Sequence, residues 1–175
     1  EMTHKSEISN ESLEVAKRWC SMVETIPVPE WDFFVGNVHE RCFDAGRNLI
    51  EAGIVCPHLY LVTRGLARYY YITKDGKEFN KSFVVEGGVA ASMVCLTYDE
   101  PSPFYVGALE DCQVLVVPST MLEEGYRRHV FWERFSRKLI ENLAVRKERR
   151  EAALLMNSAE ERYDQFINEF PQLIS

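Results

Sequence analysis

Three sets of residues in this sequence have side chains able to do chemistry, and each points away from catalysis. The thiols are Cys20, Cys42, Cys56, Cys95 and Cys112, an odd number with no pair at C-x-x-C spacing. That pattern reads as reduced thiols in and near the core of a cytoplasmic protein. A redox switch at Cys42, Cys56, Cys95 or Cys112 is possible in principle, but nothing in the sequence visibly lowers their pKa. The imidazoles are His4, His39, His58 and His129, and no two have the spacing of a metal-ligand pair. The third set is Ala91, Ser92, Met93, Ser102, Pro103 and Tyr105, with Asp99 and Glu100 between its two halves. Small residues, hydroxyls and a ring suit the lining of a small-molecule pocket. No Ser-His-Asp or Cys-His arrangement is recognisable. The reading is therefore of a protein that is not an enzyme, with no catalytic residue, no metal and no cofactor.

The third set must be positioned by the stretch from Gly76 to Val117. A strand-like run, Glu78–Val85, precedes it, with Phe79, Phe83 and Val85 at period two. Two valine-rich runs, Phe104–Leu109 and Gln113–Val117, follow, separated by Glu110 and Asp111. Between them the chain is neither a good strand nor a long helix. Gly87 and Gly88 permit tight turning, Ala90, Ala91 and Ser92 allow close approach, and Pro101 and Pro103 stiffen the exit. Upstream, short apolar runs at Asn48–Glu51, Leu59–Thr63 and Leu66–Thr73 alternate with glycine turns. Asp75-Gly76 is a hairpin signal. Short strands at near-regular spacing predict a sandwich or barrel. Tyr69, Tyr70 and Tyr71 fall on alternating faces, one or two of them in the core.

Helices are predicted on both sides. One begins after Ser9 or Asn10, carries Val15, Trp19, Met22, Val23 and Ile26, and stops at Pro27 and Pro29. A short one covers Trp31–Asn37. After Pro118, Ser119 or Thr120 caps another, with Thr120 and Glu123 at capping-box spacing, and Gly125 ends or loosens it. A long helix runs from about Val130 to Met156. Its apolar residues lie towards its two ends, so a second copy of the chain is the natural cover. Phe131, Phe135, Leu139, Leu143 and Met156 are the expected pairing residues. The run Arg146–Arg150, interleaved with Glu141, Glu148 and Glu151, reads as a solvated face. Ser158 and Glu161 form a capping box for a last helix with Tyr163, Phe166, Ile167 and Phe170 on one face, closed by Pro171.

Composition narrows the class. With 175 residues and 46% hydrophobic content the chain can bury a core. A net charge of -7 argues against nucleic-acid binding by this stretch alone. No apolar run reaches the length of a membrane span. Residues 1–9 are polar and expected to be loose, with no signal peptide and with Met2 as the natural start after an added Glu1.

Gly46-Arg-Asn-Leu-Ile-Glu-Ala-Gly53, then Leu59-Tyr-Leu-Val-Thr-Arg-Gly65-Leu-Ala, then Asp75-Gly-Lys-Glu78 resemble the first half of a cyclic-nucleotide-binding domain. From about Arg41 to Pro171 the chain resembles the sensor half of Crp/Fnr-type bacterial transcription regulators. The resemblance implies an α+β fold: an antiparallel β-roll (a double-stranded β-helix or jelly roll) flanked by N-terminal helices and a long C-terminal helix. It divides the chain into an N-terminal helical segment at 1–40, the β-roll at 41–118, a short helix and the dimerisation helix at 119–157, and a connecting helix at 158–175. It also implies a homodimer, and a DNA-reading winged helix-turn-helix beyond Pro171, so that this sequence is expected to be truncated.

The ligand loop departs from the family. Cyclic-nucleotide binders carry Gly-Glu, which takes the ribose hydroxyl, and then Arg with a small residue, which pairs with the phosphodiester. Aligned from Asp75-Gly-Lys-Glu78 without gaps, those positions fall on Ala91 and Ser92, and on Ser102 and Pro103. Both charged anchors are missing. The resemblance therefore implies a sensor that does not hold cyclic AMP in the family manner and takes an unknown, less charged effector, or else a pocket filled by Met93 and Leu96. A stand-alone small-molecule-binding β-roll and a cupin-type metal enzyme are the other readings. The latter needs several histidines on strands, and only His58 lies in the predicted roll. The iron–sulfur sensors of the family cluster cysteines near the N-terminus, where Cys20 stands alone.

Overall fold

The computed structural model describes residues 7–174, so the expectation for residues 1–6, His4 included, lies outside the described residues. The chain falls into two compact units, one reaching to Glu133 and the other running from Arg134.

Among the described residues the first unit is built on eight strands: β1 (His39–Phe43), β2 (Asn48–Ile50), β3 (His58–Arg64), β4 (Ala67–Ile72), β5 (Glu78–Val84), β6 (Val89–Ala90), β7 (Tyr105–Ala108) and β8 (Cys112–Pro118). They form two antiparallel four-stranded sheets, in the orders β1-β8-β3-β6 and β2-β7-β4-β5. This is the expected α+β jelly roll. The core cluster contains Phe43, Ile50, Tyr60, Val62, Val106 and Val114, supplied by both sheets. Strand β3 is buried at nearly every position rather than at alternate ones. Both its faces are covered, which replaces alternation by a continuous apolar run. The helix α1 (Asn10–Cys20) packs against β3, and Ser12 donates from its hydroxyl to Thr63 at 2.9 Å.

Local signals explain most of the boundaries. Ser9 caps α1 through its side chain. That helix ends at Cys20, well before the prolines expected to stop it, and the Ser21 N–H closes back on Lys17. The next helix, α2 (Val28–Asn37), starts earlier than expected because Pro29 stands in its first turn, where the missing N–H costs nothing. After the short α3 (Met93–Tyr98) and β8 comes α4 (Ser119–Arg128). Pro118 is its N-cap and no side chain caps it, so the Thr120–Glu123 box does not form. Gly125 neither ends nor loosens α4. It is buried inside the helix, and a Cβ there would lie 2.7 Å from the Trp132 ring. It is glycine because an indole lies on it.

Trp132 anchors an aromatic cluster with Phe33, Phe34 and Phe131. Its indole N–H donates to the carboxylate of Glu30 at 2.7 Å, and Arg128 reaches the same carboxylate at 3.3 and 3.4 Å. Burial alone would raise the pKa of Glu30. The hydrogen bonds from Trp132 and Arg128 outweigh it and hold the group below its ordinary 4.5.

The helix α5 (Val130–Met156) has the expected bounds. In the second unit α6 (Ala159–Glu169) begins with the reciprocal Ser158–Glu161 capping box. Of the expected pairing residues, Phe131 and Phe135 are fully buried. Leu139 and Leu143 are half-buried, while Leu154, Leu155 and Met156 are exposed. The residues 146–149 are exposed, with Arg150 half-buried. No helix among the described residues is long and apolar enough to cross a membrane.

Candidate ligand site

The loop that follows β6 turns into α3 at Ser92. Its backbone is tied to the facing sheet by one side chain. The Tyr69 hydroxyl receives the Ala91 N–H at 2.9 Å and lies 3.2 Å from the Val89 carbonyl. Ser92, next in sequence, is fully buried, and its hydroxyl has no hydrogen-bond partner among the described residues. An unmade hydrogen bond of this kind costs about 1–3 kcal/mol, so native folds rarely keep one without a use for it. Met93 is half-buried at the start of α3.

The second half of the loop returns through Ser102, Pro103 and Phe104. Ser102 is buried, and its hydroxyl donates to the Phe104 carbonyl at 2.8 Å. Its backbone N–H and carbonyl join Ile54 and Gly53 in the β2–β3 turn. The Ser102 side chain is thus turned onto its own loop. Pro103 is exposed. Phe104 meets Tyr69 edge-on at 5.1 Å and Tyr71 at 6.0 Å.

Tyr105 does not join this wall. It stacks on Tyr70 at 5.1 Å, and the Tyr70 hydroxyl donates to Asn48 at 2.9 Å. Successive strand residues face opposite ways, so the sheet separates Tyr70 and Tyr105 from Tyr69 and Phe104. Of the six residues singled out in the sequence, Ala91 is held by the Tyr69 hydroxyl and Ser102 by the Phe104 carbonyl, with Ser92 and Met93 at the start of α3. Pro103 is turned to solvent and Tyr105 belongs to the other face.

The contacts of Tyr69 with Ala91 and of Lys81 with Phe104 were not expected from the sequence. The pairing of β4 with β5 runs Tyr69 to Ser82 and then Tyr70 to Asn80, so Lys81 is the extra residue of a β-bulge. Its ammonium lies 5.1 Å from the Phe104 ring centroid and 5.7 Å from that of Tyr69. No residue type in Asn80-Lys81-Ser82 announces a bulge.

Burial pushes Cys20 up to about 12 and also raises Cys112, the reverse of what a reactive thiol needs. Among the described residues no group of three His, Cys, Asp or Glu stands together as a metal site.

The family model described as the cyclic nucleotide-binding domain matches residues 40–129. Many solved structures share the fold. The catabolite activator protein of Thermus thermophilus aligns with a TM-score of 0.62 at 21% identity, over 74% of this chain and 60% of that one. A cyclic nucleotide-binding domain from Methylobacillus flagellatus aligns with a TM-score of 0.68 at 14% identity, over 83% of this chain and 80% of that one. The sensor domain of the transcriptional regulator DNR from Pseudomonas aeruginosa aligns with a TM-score of 0.62 at 13% identity, over 80% and 89% respectively. The chain therefore spans less than two thirds of the Thermus activator's length. Among curated proteins none matches it.

Proposed function

We propose, from the premise that the chain belongs to the cyclic nucleotide-binding domain family, that it is the effector-sensing and dimerisation part of a cytoplasmic Crp/Fnr-type transcription regulator, without enzymatic activity, whose effector is not a cyclic nucleotide bound in the family manner. The observation that carries the reading is the loop. Its scaffold is kept, while the positions of the carboxylate and guanidinium anchors hold Ser92 and Ser102. A phosphodiester buried without its paired cation loses a charge-assisted contact and keeps its desolvation cost.

Calorimetric titration with cyclic AMP and cyclic GMP tests this. No micromolar binding is expected for either nucleotide. Micromolar binding that disappears when the Ala91–Met93 loop is altered would overturn the reading.

The rest follows the family's plan. Residues 41–118 would sense the effector and residues 119–157 would transmit it. Residues 158–175 would lead to a DNA-reading domain. Effector binding would shift the paired long helices between two arrangements and so move the DNA-reading domains. With Phe131 and Phe135 already covered, pairing falls to Leu139, Leu143 and the exposed Met156. Replacing Leu139 and Leu143 with aspartate should convert a dimer in sedimentation velocity to a species of 20.3 kDa. An unchanged dimer mass would remove α5 as the seam.

A further inference from the structure

His39, Arg41 and His58 are three basic side chains on one side of one sheet. In β1, His39 and Arg41 share their side with the core residue Phe43. Across β8, His39 lies level with Val116 and then Tyr60, and His58 lies level with Pro118. Val116 and Tyr60 are core residues too. His39 and Arg41 are exposed and His58 is half-buried, so the three stand where the core side of the sheet meets solvent. Rings connect them. The Arg41 guanidinium lies 4.4 Å from the Phe43 centroid, Phe43 meets Tyr60 edge-on at 5.8 Å, and Tyr60 meets His58 edge-on at 6.3 Å.

Nothing acidic balances this group. Glu40, between His39 and Arg41, faces α1 instead, where it accepts the Ser9 hydroxyl at 2.8 Å and the Ser9 N–H at 3.3 Å. Among the described residues His39, Arg41 and His58 have no ion-pair partner. The Nδ1 atom of His58 is buried and meets no partner of hydrogen-bonding geometry among them, which native folds rarely keep without a use. Burial lowers the pKa of His58, and His39 and Arg41 lie close enough to lower it further, with the Pro57 carbonyl pulling the other way. The other titratable groups beside it are Tyr60, pushed up by burial, and Cys56, whose thiol donates to the Tyr60 hydroxyl at 3.7 Å. Level with His58 and Tyr60, β8 supplies Pro118 and Val116. At pH 7 His58 alone is therefore neutral, and a nearby anion would restore its charge.

We infer that His39, Arg41 and His58 bind a small tetrahedral dianion, the chemistry of sulfate and of a phosphoryl group, and that His58 takes up a proton from water as the anion arrives. The guanidinium can pair two oxygens and the imidazoles can donate to the others. These residues stand at the β1 end of the order β1-β8-β3-β6, and the loop follows β6 at the other end. The inference does not depend on how that loop is read.

Histidine Cε1–H signals in NMR spectra of the 175-residue chain test it, with sulfate added at ionic strength held constant by chloride. Sulfate keeps both charges between about pH 6 and 8, so any pH dependence there belongs to the histidines. The His39 and His58 signals, assigned with the two glutamine variants, should move saturably. The His58 midpoint should rise by about one pH unit at saturation. Inorganic phosphate at about pH 8, where it is also mostly a dianion, ranks the two anions. Arg41→Ala should weaken sulfate about tenfold. Lys74→Ala removes an equal charge from the exposed β4–β5 turn of the other sheet and should leave the affinity unchanged. His58→Gln should remove most of the pH dependence. Thermal melts establish that each variant is folded. A His58 signal that does not saturate, or equal losses in Arg41→Ala and Lys74→Ala, overturns the site. A pH dependence kept in full by His58→Gln overturns the proton uptake.

Discussion

Replacing Gly65 with alanine should destabilise the fold by about 3 kcal/mol and lower Tm by roughly 6–12 °C. Gly65 lies between β3 and β4 at φ +98, a region that a side chain enters only with strain. A Cβ there would also stand 2.5 Å from the Asp111 carbonyl and 3.0 Å from Cys112 Cα. Those are backbone atoms of the turn leading into β8, and they cannot swing aside. The turn is held by the Leu109 N–H on the Leu66 carbonyl at 2.8 Å, with the Cys112 thiol on the same carbonyl at 3.3 Å. Relief would have to come from separating the two turns. Gly53 provides the control, because its φ is +82 but nothing lies within 4 Å of its missing Cβ. Alanine there should incur only the conformational cost, about 1 kcal/mol. Thermal melts of the two variants check the difference. Equal losses would show that the close approach at Gly65 costs nothing.

The contrast between those glycines marks where the sequence stops being legible. Both glycines stand in turns between apolar runs, and the strand pattern located both turns. Nothing local distinguishes open space from a carbonyl that arrives from 46 residues away. The same limit hid the packing role of Gly125, whose indole partner lies on the next helix. Signals within one turn of the chain did better. Ser158 and Glu161 placed the start of α6, and the apolar residues of α5 gave both its ends. Strand β1 was harder. In His39–Phe43 only Phe43 is buried, because this strand lies at the edge of its sheet, so its sequence carries no alternation to count.

For the site, the sequence located the loop but not the wall facing it. Ala91, Ser92 and Ser102 were picked out by the glycine frame and a gapless alignment alone. Excluding Tyr105 needed the parity of β7 relative to β4, which is a property of register. Finding Lys81 needed the bulge that breaks parity in β5.

Replacing Glu30 with alanine should destabilise the protein by about 3 kcal/mol at neutral pH, because two donors lose one buried acceptor. The Glu30 side chain is 7% exposed, so solvent cannot take its place readily. Arg128 is more open, at 37%, and lies 4.2 Å from the Phe33 ring centroid. Its share of the pairing is screened and counts for less than that of the Trp132 indole. The position of Glu30 in the first turn of α2 adds a modest favourable interaction with the helix dipole. Glu30→Gln should be milder, about 1–2 kcal/mol, since its carbonyl oxygen can still accept from the indole while the charge is gone. The sign with pH is fixed by the lowered pKa. Stability contributed by the carboxylate is present above its ordinary 4.5 and is lost as pH falls through the depressed folded value. The gap between the wild type and Glu30→Gln should therefore be full at pH 7 and shrink as acid titrates the native carboxylate. Glu40 is held below 4.5 as well: burial alone would raise it, but hydrogen bonds from Ser12, Ser9 and Gln113 outweigh that effect. Because Glu40 is present in both proteins, its titration cancels in the difference. Urea melts of the two proteins across that range provide the measurement. A gap that stays constant into acid would mean that the ionised form of Glu30 gains nothing from Arg128 and the indole.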